Sequence, residues 1–304
     1  MNSKKAGSSA LLLAAAIIWG VAFVAQSVGM DYVGPFTFNA VRSLIGAVVL
    51  LPVIGIMNRG KKKEVFAQEK KAERKTLVLG GVLCGVCLCF GSSLQQIAIQ
   101  YTAVGKVSFI TALYIILVPI LGIFFRRRAG VLVWISVVIA VVGMYFLCIT
   151  EGFSVNIGDW LTLIGSLCFA VHILVIDHFA QKADGVKMSC IQFFTCAVLC
   201  AIAMAIFETP TLSSIAQAWL PICYAGVMSC GVAYTLQIVG QKNMEPTVAS
   251  LILSLESVVG ALAGWLLLGQ ALTGREIFGC ALVFCGIILA QLPADIFRKR
   301  RSVK

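Results

Sequence analysis

The sequence predicts an all-α polytopic membrane protein of ten transmembrane helices, arranged as two inverted five-helix repeats. Three observations carry this. First, 60% of the 304 residues are hydrophobic and only 12% are charged, with a mean hydropathy of +0.98; a soluble domain carries about 25% charged residues. Second, the apolar residues fall in runs of about twenty, the length of helix that crosses a hydrocarbon core of about 30 Å. Third, lysine and arginine mark alternate connections between those runs.

The runs place spans at about 9–27, 35–57, 77–99, 103–125, 130–149, 158–179, 188–207, 217–239, 247–268 and 276–292. No long polar insertion separates them. The start, "MNSKKAGSSALLLAAAIIWGVAFVAQS", shares two lysines, an apolar run and small residues at Ala22 and Ala25 with cleaved signal peptides. The length of the run, and the symmetry it completes, favour a retained first span.

The charge pattern sets the topology. Lys4 and Lys5 precede span 1, and "NRGKKKEVFAQEKKAERK" follows span 2. Arg126, Arg127 and Arg128 follow span 4, Lys182 and Lys187 follow span 6, and Lys242 follows span 8. The last residues read "RKRRSVK", within a basic tail at 293–304. The alternate connections "GMDYVGP", "QYTA", "TEGFSVN" and "ETPTLSS" carry no lysine or arginine, and Arg275 in the ninth is the exception. Both termini are therefore expected in the cytoplasm of a cell whose plasma (inner) membrane the chain crosses. The net charge of +11 reports topology and implies no nucleic-acid partner. Glu64, Glu69 and Glu73 interleave the second connection, which reads as a solvated basic loop, with anionic lipid heads as the lesser reading.

Twelve cysteines fall within or beside the apolar runs. "CGVCLC" contains a CxxC, but no second pair follows at zinc-finger spacing. The cysteines read as small packable hydrophobes, and no metal or cofactor is expected.

A repeat runs through the chain. "SFITALYIILVPILGIFF" at 108–125 is similar to "SLILSLESVVGALAGWLL" at 250–267, a separation of 142 residues. "SVVIAVVGMYFL" at 136–147 is similar to "GCALVFCGIILA" at 279–290, with Gly143 opposite Gly286. A half-chain period with an odd number of spans makes the second half enter the membrane from the opposite face, as in many secondary transporters. The halves are 9–149 and 158–292.

The chain resembles the drug/metabolite transporter superfamily, in its branch with two EamA domains. "AIIWGVAFVAQ", "GPFTFNAVRSLIGAVVLLPV", "AIQYTAVGKVSFITALYIILVPILGIFF" and "MEPTVASLILSLESVVGALAGWLLLGQALTGREIFGCALVFCGIILA" carry the resemblance in order and spacing over nearly the whole chain. Ser257 stands where that family usually has proline, Gln270 where it usually has an acidic residue, and "RRR" at the matching place of the first half. The resemblance implies export of small metabolites or amino acids. A polytopic membrane enzyme, lipid-modifying or hydrolytic, is the alternative.

Polar groups within spans mark the candidate pathway. A charge at mid-membrane costs roughly 2.5–3.5 kcal/mol on insertion scales, so Glu256 must face the bundle interior, pair or lose its charge. Gly260 and Gly264 follow it at helical spacing, and Ser257 adjoins it. Arg42, with Asn39 within one turn, either snorkels outward or lines a vestibule as counter-charge. Thr111 and Tyr114 follow Ser108 at three-residue steps, and Lys106 opens the same span as an interfacial anchor. His172 reads either as a proton relay or as a hydrogen bond across helices. Trp19 is a candidate lining residue, as are Gln26, Gln95, Gln96, Tyr234 and Gln237. Asp177 and His178 read as interfacial, and Trp160 and Trp219 as an aromatic belt.

There is no P-loop, HExxH or GxSxG. The expected partners are the lipid bilayer, a small-molecule substrate and a coupling proton; a homodimer is left open.

Overall fold

The computed structural model describes residues 3–59, 71–102, 104–124, 129–148, 156–268 and 273–292. Most of the second basic connection, the arginines at 126–128, Gln270 and the basic tail lie outside the described residues. Among the described residues all regular structure is helical. Nine helices among the described residues are long and apolar enough to cross a membrane. A tenth, Val131–Cys148, takes the place of span 5 with a shorter apolar stretch.

Local chemistry sets where the spans begin. Span 6, Ile157–Phe179, starts with a capping box in which Asn156 and Asp159 satisfy each other's backbone N–H groups. Asp184 caps span 7, Gly185–Phe207, and Thr273 with Glu276 caps span 10, Gly274–Gln291. Span 9 opens with Glu245 as cap and Pro246 in the first turn, where its missing N–H costs nothing.

Spans 4 and 9 are each broken near their middle. Span 4 runs as Val104–Ala112 and Tyr114–Phe124, and span 9 as Pro246–Leu253 and Leu255–Leu268. At the second break the Ser250 and Ser254 hydroxyls donate to the carbonyls of Thr247 and Leu251 at 2.8 and 2.7 Å. Such local bonds compete with the helical ladder. Span 8 is also irregular. It continues from Trp219–Cys223 through a π-helical segment, Tyr224–Ala233, into Tyr234–Gln241. A short helix, Leu212–Gln217, precedes it where the sequence suggested only a connection.

The spans are inside-out relative to a soluble bundle. On span 2, Pro35–Arg59, the buried face holds Thr37, Asn39, Arg42, Ser43 and Gly46, while Leu44, Val48 and Leu51 are exposed. Polar and small residues, together with Phe38 and Leu50, thus meet protein, and the remaining large apolar ones are left for lipid.

Packing follows one scheme. Span 1 packs against spans 8 and 9, and span 6 against spans 3 and 4. Span 2 packs on spans 7 and 8, span 7 on spans 2 and 3, and span 5 on span 10. The scheme maps onto itself when spans 1–5 are exchanged with spans 6–10. The glycines aligned by the repeat are reciprocal too. A Cβ on Gly143 would meet the carbonyl of Gly279 at 2.8 Å, and one on Gly286 the carbonyl of Ser136 at 2.8 Å. Spans 5 and 10 approach so closely because neither carries a side chain there.

Candidate functional site

The site is a narrow cavity at the centre of the bundle, with room of about 40 Å³ for the centres of water-sized guests. Its walls come from spans 1, 2, 3, 4, 6, 8 and 9, so both halves contribute. Glu256 and Tyr114 form its middle. Each sits just past the break in its span, where the chain direction resets and the side chain projects inward. The Tyr114 hydroxyl donates to Glu256 Oε1 at 3.0 Å. The two are 142 residues apart, the separation of the repeat, so equivalent positions of the two halves meet across the cavity. Gln95 and Gln237 are separated by the same interval and also line it.

Arg42 supplies the positive wall. It is 4% exposed, lines the cavity and does not snorkel outward. Its guanidinium lies 5.6 Å from the Phe38 ring, and its Nε has no partner among the described residues. Arg42 and Glu256 face one cavity without forming an ion pair.

An aromatic cluster closes one side. Tyr234 lies 4.5 Å from Trp19, 5.5 Å from Phe193 and 5.9 Å from His172, ring centre to ring centre. His172 Nε2 donates to Gln192 Oε1 at 3.0 Å, which anchors the imidazole to span 7. Thr111 accepts from Gln95 Nε2 at 3.0 Å, tying spans 3 and 4 at the rim.

Of the residues singled out in the sequence, Glu256, Arg42, Thr111, Tyr114, His172 and Trp19 converge on this cavity. Asn39 and Ser257 do not line it. Asn39 is fully buried with both amide atoms unpartnered among the described residues, and Ser257 donates to the Ser108 carbonyl at 3.4 Å. Gln26, Gln237 and Tyr234 also line the cavity, whereas Gln96 donates to the Gln26 carbonyl. Sequence reading missed Phe23, Phe169, Ile173, Ser229 and Leu253, which are indistinguishable in sequence from residues facing protein or lipid.

Polar contacts also link the halves near the ends of spans. Glu208, at the end of span 7, accepts from the backbone N–H groups of Phe36 and Thr37, both at 2.8 Å, and from Thr37 Oγ1 at 2.6 Å. It caps span 2, whose preceding residue, Gly34, has no side chain to do so. A Cβ on Gly34 would collide with this carboxylate. Lys106 is not a simple interfacial anchor: its Nζ lies 2.6 Å from Asp159 Oδ2, with the two side chains 16% and 7% exposed. Asp177, read as interfacial, is buried at 3%. Trp160 and Trp219 are exposed, as an aromatic belt requires.

A helical bundle with lipid-type outer faces and a central cavity that holds Arg42 and Glu256 defines a multi-pass membrane protein. Comparison with known proteins gives the family. The chain belongs to the EamA-like transporter family, which matches residues 8–149 and 156–292. It is 29% identical to an uncharacterized transporter of Archaeoglobus fulgidus, over 91% of this chain and 83% of that one. It is 24% identical to the uncharacterized transporter YoaV of Bacillus subtilis, over 91% and 94%, and 23% identical to the uncharacterized inner membrane transporter YedA of Escherichia coli, over 94% and 91%. A solved crystal structure superimposes with a TM-score of 0.76 at 17% identity, covering 98% of this chain and 99% of that one, and so shares the fold. The protein is a membrane transporter of this family.

Proposed function

We propose that the chain is a secondary transporter of the plasma membrane that exports small metabolites or amino acids by alternating access. The moving units are the two inverted five-helix halves, 9–149 and 158–292, with both termini in the cytoplasm. The observation that carries this is the Tyr114–Glu256 bond: equivalent residues of the two halves meet in the central cavity, at breaks in equivalent helices. Broken helices at a repeat interface are where transporters of this kind hold their substrates. The self-mapping packing scheme supports the inverted relation of the halves.

Arg42 and Glu256 polarise the cavity, and Glu256 carries the coupling proton. When protonated it is tolerable in the occluded core, and when ionised it draws in substrate or a proton from water. Membership of a transporter family speaks against the membrane-enzyme reading.

The test is metabolite profiling inside and outside cells producing the wild-type chain, Glu256→Gln or neither, at matched membrane abundance. A compound enriched outside only with the wild type, and lost when a protonophore collapses the gradient, is the expected result. Enrichment with both chains would keep export and remove Glu256 from coupling. Depletion of an external compound would reverse the direction.

A further inference from the structure

The bundle holds a second polar cluster that the cavity does not use. Cys89 on span 3 meets Cys196 and Cys200 on span 7. Cys196 and Cys200 stand one turn apart and project from the same face of their helix. Cys200 Sγ lies 3.5 Å from Cys89 Sγ and 3.9 Å from Cys196 Sγ, and all three sulfurs lie within 4.8 Å of one another. All are buried. Ser43 Oγ approaches Cys196 at 3.4 Å and Ser93 Oγ approaches Cys200 at 3.7 Å.

These separations match a triangle of metal ligands. Metal–thiolate bonds of about 2.3 Å in a trigonal arrangement hold the sulfurs about 4 Å apart. Two of the separations lie at or just below that value and the third is no more than 4.8 Å, so an ion among the three sulfurs is reached by small side-chain adjustments with the helices where they stand. We propose that Cys89, Cys196 and Cys200 form a binding site for one soft monovalent metal ion, Cu(I) in class.

The donor set selects the ion. Three sulfurs with no nitrogen or carboxylate favour soft metals over magnesium, calcium or manganese. Structural zinc takes four ligands, as do iron–sulfur clusters, and among the described residues no fourth histidine, cysteine or carboxylate joins this group. Cu(I) is satisfied by three. Its charge is also tractable in hydrocarbon. Cu(I) enters, two thiol protons leave to the medium, and the third sulfur coordinates as a thiol. The complex then carries a charge of −1. The buried guanidinium of Arg42, the chain neighbour of Ser43 whose hydroxyl meets Cys196, offsets that charge. Spans 3 and 7 belong to different halves, so a bound ion fastens one half to the other.

The test uses the full chain in detergent under anaerobic, reducing conditions. Wild type and a chain whose other nine cysteines are alanine are titrated with Cu(I) against a chromogenic Cu(I) chelator. The expected result is one ion per chain for both, with an X-ray absorption spectrum of sulfur neighbours only. Cys89→Ser, Cys196→Ser and Cys200→Ser in the three-cysteine chain each lose the ion to the chelator. Gel filtration and thermal unfolding check each variant. For a variant that does not fold, alkylation of the wild type with and without Cu(I), mapped by mass spectrometry, replaces it, and protection of these three thiols is expected. The proposal is overturned by no uptake in the three-cysteine chain, by equal retention in a chain with all three changed to serine, by nitrogen or oxygen neighbours in the spectrum, or by protection at other thiols.

Discussion

The Tyr114 hydroxyl donates to the Glu256 carboxyl group at 3.0 Å, and the two residues occupy the same place in the two halves of the chain. Each half thus brings one member of the central hydrogen bond, and neither half builds the site alone. The bond spans the interface between the units proposed to move, so the proposed cycle requires it to form and break.

Tyr114→Phe removes the donor and leaves the ring. The acceptor left buried without it costs about 1–3 kcal/mol. Thermal unfolding in detergent is expected to fall accordingly, while export through the wild-type assay falls roughly tenfold for Glu256→Gln and less for Tyr114→Phe. Equal melting temperatures for Tyr114→Phe and wild type would show that the bond contributes nothing to the occluded form.

Lys106 and Asp159 are tested as a pair. Removing either charge removes the 2.6 Å contact between spans 4 and 6, so Lys106→Met and Asp159→Asn are each expected to destabilise. Discounted for partial exposure, the coupling in a double-mutant cycle is expected at about 1–3 kcal/mol. Additive single effects would reduce the contact to two independent surface groups.

Much of this arrangement was legible in the sequence. Span number and half boundaries follow from the runs of apolar residues, since hydrocarbon thickness leaves little freedom in helix length. Glu256 and Arg42 stood out because charge is expensive there. The pairing of Lys106 with Asp159 was hidden because Asp159 looks, correctly, like a helix-capping residue, and its second role depends on where span 4 lies. The cysteine triangle was hidden for the same reason: Cys89 and Cys200 are 111 residues apart, and only the packing of span 3 on span 7 unites them. The cavity walls formed by Phe23, Phe169, Ile173 and Leu253 carry no mark at all, because in a membrane protein apolar residues face protein, lipid and ligand alike. The π-helical segment of span 8 has no signature of composition.

Topology has its own check. In a cysteine-free chain, a membrane-impermeant thiol reagent applied to sealed cells is expected to label Asn156→Cys and not Lys182→Cys. Labelling of Lys182→Cys alone would invert the protein in the membrane.

Glu208→Ala uncaps span 2. Losing a cap and a carboxylate at a helix N-terminus costs about 1–2 kcal/mol, to be read as a lower unfolding temperature. Gly34→Ala is expected to do the same with the carboxylate present, because its methyl group takes the carboxylate's place. A stable Gly34→Ala chain would place the cap elsewhere.

The same contact has a consequence for synthesis. The first turn of span 2 leaves the ribosome 171 residues before the carboxylate that caps it. At about 5–20 residues per second, that helix waits on the order of ten to thirty seconds with its leading N–H groups unmet by protein. Until Glu208 arrives, water at the membrane surface must serve them, which keeps the start of span 2 at the interface while the rest of the chain is inserted. The assembly of the first half is thus completed by one of the last groups of span 7, and a chain halted before it is left with an uncapped helix.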